Sequence, residues 1–402
     1  MDDLADQLRT RVTEFLADHD PLGDRQEFLR ARFDAGLAWV HFPVGLGGLD
    51  MPRHLQSVVD TALADAGAPD NDPRRIVIGL GMAAPTVLAV GSAAQRERWL
   101  RPLWTGEEVW CQLFSEPGAG SDLAALGTRA VRESDAADAD WIVTGQKVWT
   151  SMAHEARWAI LVTRTDPDVP KHRGMTYFVC DMTAPGVEVR PLRQITGEAE
   201  FNEVFLTDVR IPDVNRLGGV GDGWRVAQVT LMNERVAIGG GALPREAGTI
   251  STVASAWRER PELRRAGAHD ELMRLWVQAE ALRLTGLRLR QQLLAGAPGP
   301  EGSAAKLAFA RLNQDVTGFE VDLLGAEALR YDGWSTQTWS TERPTTVDFA
   351  GRSPGYRYLR AKGNSIEGGT SEILRGIISE RVLGLPQEAR ADKDVPWKDL
   401  PK

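Results

Sequence analysis

The hydrophobic pattern of this chain changes period twice, and that change limits the possible folds more than any other feature. Over residues 4–103 apolar side chains recur at spacings of three and four, as amphipathic helices require. Over 108–212 the period falls to two, in short runs rich in β-branched and aromatic residues. Helical spacing returns after the glycine-rich turn at 218–221 and continues almost to Leu383.

This order predicts a multi-domain α+β protein with helices first, strands in the middle and helices last. We place the domain boundaries at 1–107, 108–217 and 218–402. A chain of 402 residues with 43% hydrophobic and 26% charged side chains can bury a core in each part.

The charge balance and the N-terminus argue against some partners and compartments. A net charge of -9 disfavours nucleic acid and anionic membranes. The first six residues are acidic where a signal peptide is basic and apolar, and no run approaches the ~20 apolar residues that span a bilayer. We expect a cytoplasmic protein that neither binds nucleic acid nor inserts into a membrane.

The cysteines and histidines do not indicate a metal site. Cys111 and Cys180 lie in apolar, strand-like runs, which favours small buried side chains over a disulfide. The six histidines show no metal-ligand spacing with each other or with cysteine.

A glycine pattern at 79–84 imitates a dinucleotide-binding fingerprint, since Gly79-Leu80-Gly81 follows three apolar residues. The true motif needs a second strand about 20 residues later. That region, 95–101, has a helical pattern, so we interpret these glycines as sites of close helix packing.

The segment Phe114–Asp122, with sequence FSEPGAGSD, combines hydroxyl groups with glycines that allow close approach of a ligand to the backbone. Successive amides in such a turn form a concave anion site. The alternative is a plain polar turn after the strand-like run 109–114. The sequence alone leaves both interpretations open.

Two later motifs change this balance: GQKVWTS at 145–151 and IEGGTSEI at 366–373. Together with FNEVF at 201–205 and GDGW at 221–224, and in this order, they resemble the acyl-CoA dehydrogenase family of flavoproteins. The resemblance covers nearly the whole chain.

The resemblance implies an N-terminal helical domain, a middle β-barrel or sandwich domain and a C-terminal four-helix bundle. It implies FAD between the middle domain and the C-terminal helices. The implied reaction is α,β-dehydrogenation of an acyl-CoA thioester to the trans-2-enoyl-CoA, as in fatty acid β-oxidation. Electron-transfer flavoprotein or a similar protein would be the acceptor, and a homotetramer, a dimer of dimers, would be the assembly.

Glu234 is the candidate catalytic base. A helix from Trp224 onward has an apolar stripe, and both Glu234 and Arg235 fall close to its line. Buried charges are costly unless they are paired or used, so a structural ion pair is the alternative. Members of the resembling family carry the base either before the Gly-Thr of the C-terminal motif or before the arginine of this helix. This chain has Gly368 at the first place and Glu234 at the second, and Glu367, one residue away, is the competitor.

The resemblance assigns further contacts residue by residue. The Gly368 amide is expected to donate to the thioester carbonyl, Trp149 to pack on the flavin and the Ser151 hydroxyl to reach its N5 atom. The expected substrate contacts are Ser121, Asn233 and Arg235. The expected cofactor contacts are Leu113, Phe114, Ser115, Ser121, Trp149, Thr150, Ser151, Leu324, Gly325, Thr370 and Glu372.

The chain departs from the family pattern where a neighbouring subunit usually grips the cofactor. The Arg-x-x-Phe-Gly element is not found, and Asp322–Ala326 stands where a glutamine-led, glycine-paired turn is common. Other readings are a catalytically silent subunit of a mixed assembly and a flavin oxidase of the same fold. A DNA-binding relative is disfavoured by the acidic balance and the absence of a basic tail.

Overall fold

The computed structural model describes residues 2–239, 244–294, 299–330, 352–389 and 392–401, without the side chains of residues 2, 234–239, 293 and 294. In the part of the chain so described, no helix combines the length and hydropathy needed to cross a bilayer. Over the same residues, no group of three or more His, Cys, Asp or Glu side chains is arranged to hold a metal ion.

The N-terminal part is helical, as its period predicts. Leu8, Val12 and Phe15 of the first helix pack on Phe28 of the second in a buried cluster. The fifth helix begins with a capping box in which Ser92 and Gln95 satisfy each other's backbone amides. The helices are α1 (Asp2–Asp18), α2 (Arg25–Asp34), α3 (Gln56–Asp65), α4 (Ala84–Val90) and α5 (Ala93–Trp104).

The glycine pattern at 79–84 serves helix packing, which confirms the prediction. Residues Gly79–Ala83 form a π-helical turn before α4, and a Cβ on Gly79 would lie 3.2 Å from the Leu103 side chain. The region where a dinucleotide fold needs a second strand is α5.

The middle part is one eight-stranded, largely antiparallel sheet. Its order is β6-β7-β3-β2-β4-β5-β8, and β1 pairs in parallel with β4. Every residue of β4 is buried, because one face of the sheet packs on the sheet's own apolar interior and the other face packs against helices. The strands are β1 (Trp110–Leu113), β2 (Arg129–Arg132), β3 (Trp141–Ser151), β4 (Trp158–Arg164), β5 (Met175–Asp181), β6 (Val187–Leu192), β7 (Phe201–Ile211) and β8 (Arg216–Leu217).

Both cysteines lie in the interior of this sheet as free, fully buried thiols, which confirms the prediction. Cys111 and Cys180 stand on either side of Ala159 in neighbouring strands. Burial raises the pKa of each thiol, that of Cys180 to about 12. Both groups are therefore neutral packing residues.

The C-terminal part is helical again. Helices α6, α7, α8, α10 and α11 all pack against α9, and the fold class is confirmed. A buried, bidentate ion pair between Arg357 and Glu320, at 2.9 and 2.6 Å, joins α10 to α9. The helices are α6 (Gly223–Gly239), α7 (Thr249–Glu259), α8 (Ala268–Leu294), α9 (Gly302–Leu324), α10 (Pro354–Ala361) and α11 (Ser371–Ile377).

Helix α6 is the point where the three parts meet. Trp224, Ala227 and Leu231 pack in a core that also contains side chains of α4 and β5, as the stripe predicts; Ile238 lies outside the described side chains. Three fully buried hydroxyls cross this junction. Tyr177 Oη lies 2.9 Å from Thr230 Oγ1, which lies 2.9 Å from Thr86 Oγ1, and Thr86 donates to the Met82 carbonyl.

Candidate active site

Leu113 ends β1, and the chain then forms the loop 114–128, which is anchored from behind by one buried lysine. Lys147, on β3, donates to the Phe114 carbonyl at 3.0 Å, the Glu116 carboxylate at 2.8 Å and the Val162 carbonyl at 2.9 Å. Its side chain is 0% exposed. All three ammonium protons therefore have acceptors, as a buried charge requires.

Glu116 completes this anchor. Its carboxylate also accepts from the amides of Gly127 at 2.7 Å and Thr128 at 2.9 Å, which closes the loop on itself. Burial alone would raise the pKa of Glu116, but the charge and hydrogen bond of Lys147 outweigh it and hold the pKa below its usual range. Burial lowers the pKa of Lys147 despite its partner. The pair fixes the backbone at 114–116, where two of the expected cofactor contacts, Phe114 and Ser115, lie.

The outer face of the loop is open. A Cβ placed on Gly118 or Gly120 would meet no heavy atom within 4 Å, and Ser121 is exposed. Behind it, Leu113 and Phe114 are buried, and the Phe114 ring packs edge-on against Tyr177 at 5.8 Å. Backbone on a rigid support with space in front suits close approach of a ligand.

The end of β3 carries a bulge at the second motif. Lys147 pairs with Val204 and Thr150 with Asn202, so β3 has one residue more than β7 there. The extra residue accommodates Trp149 at φ 60°, with its side chain 58% exposed. A non-glycine residue in the left-handed region is uncommon and often marks a functional site. Trp149 thus presents a large aromatic surface to solvent.

Thr150 and Ser151, next to this tryptophan, offer polar groups. Thr150 Oγ1 is buried and has no hydrogen-bonding partner among the described residues. Asn202, which is fully buried, donates to the Thr150 carbonyl at 3.1 Å and holds the end of β3 in place. Ser151 pairs with Phe201 across the strands and is half-buried.

The segment 194–200 links this strand end to the C-terminal helices. The Glu200 carbonyl accepts from the Met152 amide at 3.0 Å, one residue beyond Ser151. Glu198 accepts from the Tyr356 hydroxyl at 2.6 Å and from Arg352 at 2.7 Å. Burial raises the pKa of Glu200, and the nearby Arg360 opposes this effect.

The C-terminal motif forms a turn between α10 and α11. Gly368 and Gly369 have φ of 63° and 95°, which glycine adopts without strain. Lys306, on α9, donates to the Gly369 carbonyl at 2.7 Å and the Asn364 carbonyl at 2.8 Å. The Thr370 hydroxyl caps α11 by accepting from the Ile373 amide at 3.2 Å.

Glu367, the competing base, is already engaged. It forms a bidentate ion pair with Arg360 at 2.8 and 3.1 Å and accepts from the Asn364 amide at 2.6 Å. These three contacts hold the carboxylate in a fixed position.

Helix α6, which carries the candidate base, is described in part. Asn233 lies on α6, with its amide donating to the Val229 carbonyl at 2.8 Å. The backbone of Glu234 and Arg235 continues the same helix, but their side chains lie outside the described set. Helix continuity places Glu234 one turn after Thr230, the hydroxyl that ties α6 to α4 and β5.

Leu324 and Gly325 lie at the opposite end of α9 from the C-terminal motif. They end α9, whose first turns carry Lys306 and hold the C-terminal motif. Eighteen residues of helix separate Lys306 from Leu324, a length of about 27 Å.

A cavity of about 450 Å³ lies between α9 and α11, beside the C-terminal motif. Its polar lining includes Arg311, Ser365, Glu372 and Arg375. Glu372 is largely exposed there and lies 3.4 Å from Arg375.

Sequence reasoning missed the residues that hold the site from behind. Lys147 and Glu116 lie inside the recognised motifs, yet a lysine in an alternating strand gives no sign that it is buried. Asn202 and Lys306 donate hydrogen bonds to backbone carbonyls far along the chain, and Lys306 lies outside the motifs described above. The signal that could have pointed to Lys306 was its position at the boundary between the polar and apolar faces of its helix.

The three parts match three family models in sequence order. Residues 2–107 match the acyl-CoA dehydrogenase N-terminal domain, 111–209 the middle domain and 221–383 the C-terminal domain. Acyl-CoA dehydrogenase IpdE1 of Mycobacterium tuberculosis is 32% identical over 93% of this chain and 91% of its own length. The chain belongs to the acyl-CoA dehydrogenase family.

Other acyl-CoA dehydrogenases extend this similarity. FadE34 of M. tuberculosis is 42% identical over 88% of this chain, although the match spans 45% of that relative's length. The solved ChsE4-ChsE5 complex of M. tuberculosis superposes with a TM-score of 0.69 at 26% identity, covering 96% of this chain and 98% of the other. The family is one of FAD-dependent oxidoreductases.

Proposed function

We propose that this acyl-CoA dehydrogenase family member binds FAD and desaturates an acyl-CoA thioester at the α,β position, giving the trans-2-enoyl-CoA. The observation that carries the proposal is that the loop 114–128 and the β3 bulge lie side by side, are held by buried contacts from behind, and are open to solvent in front. These segments present accessible backbone at Gly118 and Gly120 and an exposed Trp149, and next to Trp149 the buried Thr150 hydroxyl has no hydrogen-bonding partner among the described residues.

The described residues fit a flavin on physical grounds. Trp149 offers a flat aromatic face to a ring system, and the hydroxyl-bearing Thr150 and Ser151 follow it, Thr150 buried and Ser151 half-buried. The turn 116–122 offers amides to an anionic group. Arg311, Arg375 and Ser371 in the cavity beside α11 suit a phosphate-bearing nucleotide portion. We assign the cofactor contacts Ser115, Ser121, Thr370 and Glu372 on the same basis.

The reaction needs a base and a means of acidifying the α-carbon. Glu234, on a helix anchored by the Thr230 hydroxyl, takes the α-proton, and Arg235 and Asn233 orient the substrate beside it. The Gly368 amide donates to the thioester carbonyl and stabilises the negative charge that develops on its oxygen. FAD, when bound, supplies the acceptor for the hydride that leaves the β-carbon.

The choice of Glu234 over Glu367 rests on the contacts of the competitor. The Glu367 carboxylate is committed to Arg360 and Asn364. A base must be free to receive a proton, and three charge-assisted hydrogen bonds oppose that.

A second candidate is a subunit that works within a mixed assembly. The ChsE4-ChsE5 structure is a complex of two chains, and this chain resembles it at 26% identity. The C-terminal region here also exposes apolar side chains: Ile366, Ile373, Val382, Leu383 and Leu385. Such a patch marks a protein interface. A homotetramer buries this patch with copies of the same chain, whereas a mixed assembly buries it with another.

The experiment that tests the proposal is anaerobic titration of the purified protein with a panel of acyl-CoA thioesters. A dehydrogenase is yellow as purified, bleaches with its substrate and yields a product lighter by two hydrogens. A colourless protein that gains flavin when co-expressed with a partner subunit supports the mixed assembly. A protein that neither holds flavin nor bleaches in either form contradicts both.

A further inference from the structure

The C-terminal segment 392–401 lies along the connection between β4 and β5. The Trp397 amide donates to the Val169 carbonyl and the Lys398 amide to the Pro167 carbonyl, both at 3.0 Å. Pro396 and Pro170 form an antiparallel bridge in the same stretch. The segment is thus attached by a short backbone ladder and not by surface side chains alone.

Trp397 reaches from this segment to the end of the loop 114–128. Its indole nitrogen donates to the Ala125 carbonyl at 3.0 Å. A Cβ on Gly127 would lie 3.7 Å from its ring. The guanidinium carbon of Arg164 lies 5.0 Å from the centre of the same ring, within the range of a cation–π contact.

Arg164 and Trp397 together occupy three consecutive carbonyls of the loop. Arg164, 3% exposed, donates to the carbonyls of Ala124 and Leu126, and Trp397 takes Ala125 between them. Loss of the indole would leave Ala125 without this donor and Arg164 without its aromatic face. Burial lowers the pKa of Arg164 to about 10, so water stabilises this cation poorly and its protein contacts matter more.

A second link joins the same two segments. Lys171 lies 2.5 Å from Asp122, in the loop, and 2.5 Å from Asp392, in the C-terminal segment. The lysine is 5% exposed. The front of the loop, at Gly118 and Gly120, is open, so these contacts act on its back alone.

We propose that the C-terminal segment 392–401 positions the loop 114–128 for the cofactor, with Trp397 as the positioning residue. The inference rests on the proposed function, because the loop is the expected FAD contact. A loop held in one conformation loses little entropy when a ligand binds, and a loosened loop loses more. Trp397 therefore sets FAD affinity without touching FAD.

The test compares three full-length variants. Trp397→Ala removes the indole hydrogen bond and the stacking, Trp397→Phe keeps an aromatic face, and Lys398→Ala removes an exposed ion pair with Asp168. Two quantities are measured: amide hydrogen exchange over 119–128 in the flavin-free protein, and the dissociation constant for FAD by fluorescence titration.

Trp397→Ala is expected to speed exchange in this loop and to raise the dissociation constant by about tenfold, since both a hydrogen bond and a cation–π contact are lost. Trp397→Phe should lie between this variant and the wild type, and Lys398→Ala should match the wild type. If Trp397→Ala does not fold, the comparison of Trp397→Phe with Lys398→Ala decides whether loop exchange and FAD affinity depend on the indole.

Unchanged loop exchange in the tryptophan variants would overturn the inference, and so would an unchanged dissociation constant of these variants for FAD where the wild type binds it. Faster exchange throughout the molecule, with no excess in the loop, would also overturn it, because the role would then be general stability. If the wild type does not bind FAD, the proposed function fails, and the exchange comparison still decides whether Trp397 positions the loop.

Discussion

The loop 114–128 is anchored by side chains that are almost completely buried, whereas the turn 366–370 is anchored in part by side chains that water reaches. Lys147 and Arg164 are 0% and 3% exposed, but Glu367 is 39% exposed at its side chain. Ile366, next to that turn, is 68% exposed. The two halves of the candidate site therefore differ in how much of their rigidity one chain supplies.

This difference separates what one chain supplies from what the proposed assembly would add. The middle-domain half is fixed by contacts within the chain before any ligand arrives. The C-terminal half has the partly exposed Lys306 and Glu367 among its polar anchors and has exposed apolar neighbours, and Leu324 lies about 27 Å along α9 from Lys306. In the assemblies proposed above, a partner subunit completes that half and leaves the first half unchanged.

The largest expected effect is on the buried half, at Lys147. Lys147→Met leaves Glu116 buried without its counter-charge and should destabilise the protein by about 3–5 kcal/mol, with loss of FAD binding. Thermal unfolding measures the first effect and flavin absorbance the second. A variant that keeps both the wild-type unfolding midpoint and the bound flavin would refute the buried anchor.

Acid should weaken the same half first. The pKa of Glu116 is lower in the folded protein than in the unfolded chain, so its contribution to stability is present at neutral pH and is lost as pH falls through the folded pKa. Each unit of difference is worth about 1.4 kcal/mol. Denaturant unfolding from about pH 6 to about pH 3.5 should show a shallower loss in Glu116→Gln than in the wild type. Equal slopes would remove Glu116 from the explanation.

Lys306 is the matched probe of the other half. Lys306→Met removes two charge-assisted hydrogen bonds from the turn at 364–369 and should cost about 2 kcal/mol, less than Lys147→Met because Lys306 is half-buried. We expect KM for the acyl-CoA to rise while the flavin stays bound. Loss of flavin equal to that of Lys147→Met would erase the proposed difference between the halves.

The smallest effect is expected at the helix cap. Thr370→Ala removes the side-chain acceptor of the Ile373 amide and should cost about 1 kcal/mol. Thr370→Ser keeps the acceptor and serves as the control. Chemical unfolding of both variants measures the cap, and FAD titration shows whether the hydroxyl also contacts the cofactor. An alanine variant as stable as the serine variant would show that the cap contributes nothing.

The sequence predicted the order of helices and strands because the apolar period is a local property of each segment. It also predicted the buried thiols and the packing role of Gly79, which follow from neighbouring residues. The anchors were not predicted, since Trp397 contacts Ala125 at a separation of 272 residues and Lys147 contacts Glu116 at a separation of 31 residues. Such contacts depend on tertiary folding, which no local pattern records. The domain boundaries and the roles of Glu234 and Arg235 stay predictions.

The measurement that tests the central claim most directly is anaerobic flavin reduction by an acyl-CoA in Glu234→Gln, beside Glu367→Gln. We predict that Glu234→Gln binds FAD and substrate but reduces the flavin about 10²–10⁴-fold more slowly, because the general base is lost. Glu367→Gln should keep reduction within about tenfold of the wild type, since its carboxylate is held by Arg360. Wild-type reduction in Glu234→Gln, or loss of reduction in Glu367→Gln alone, would contradict the account.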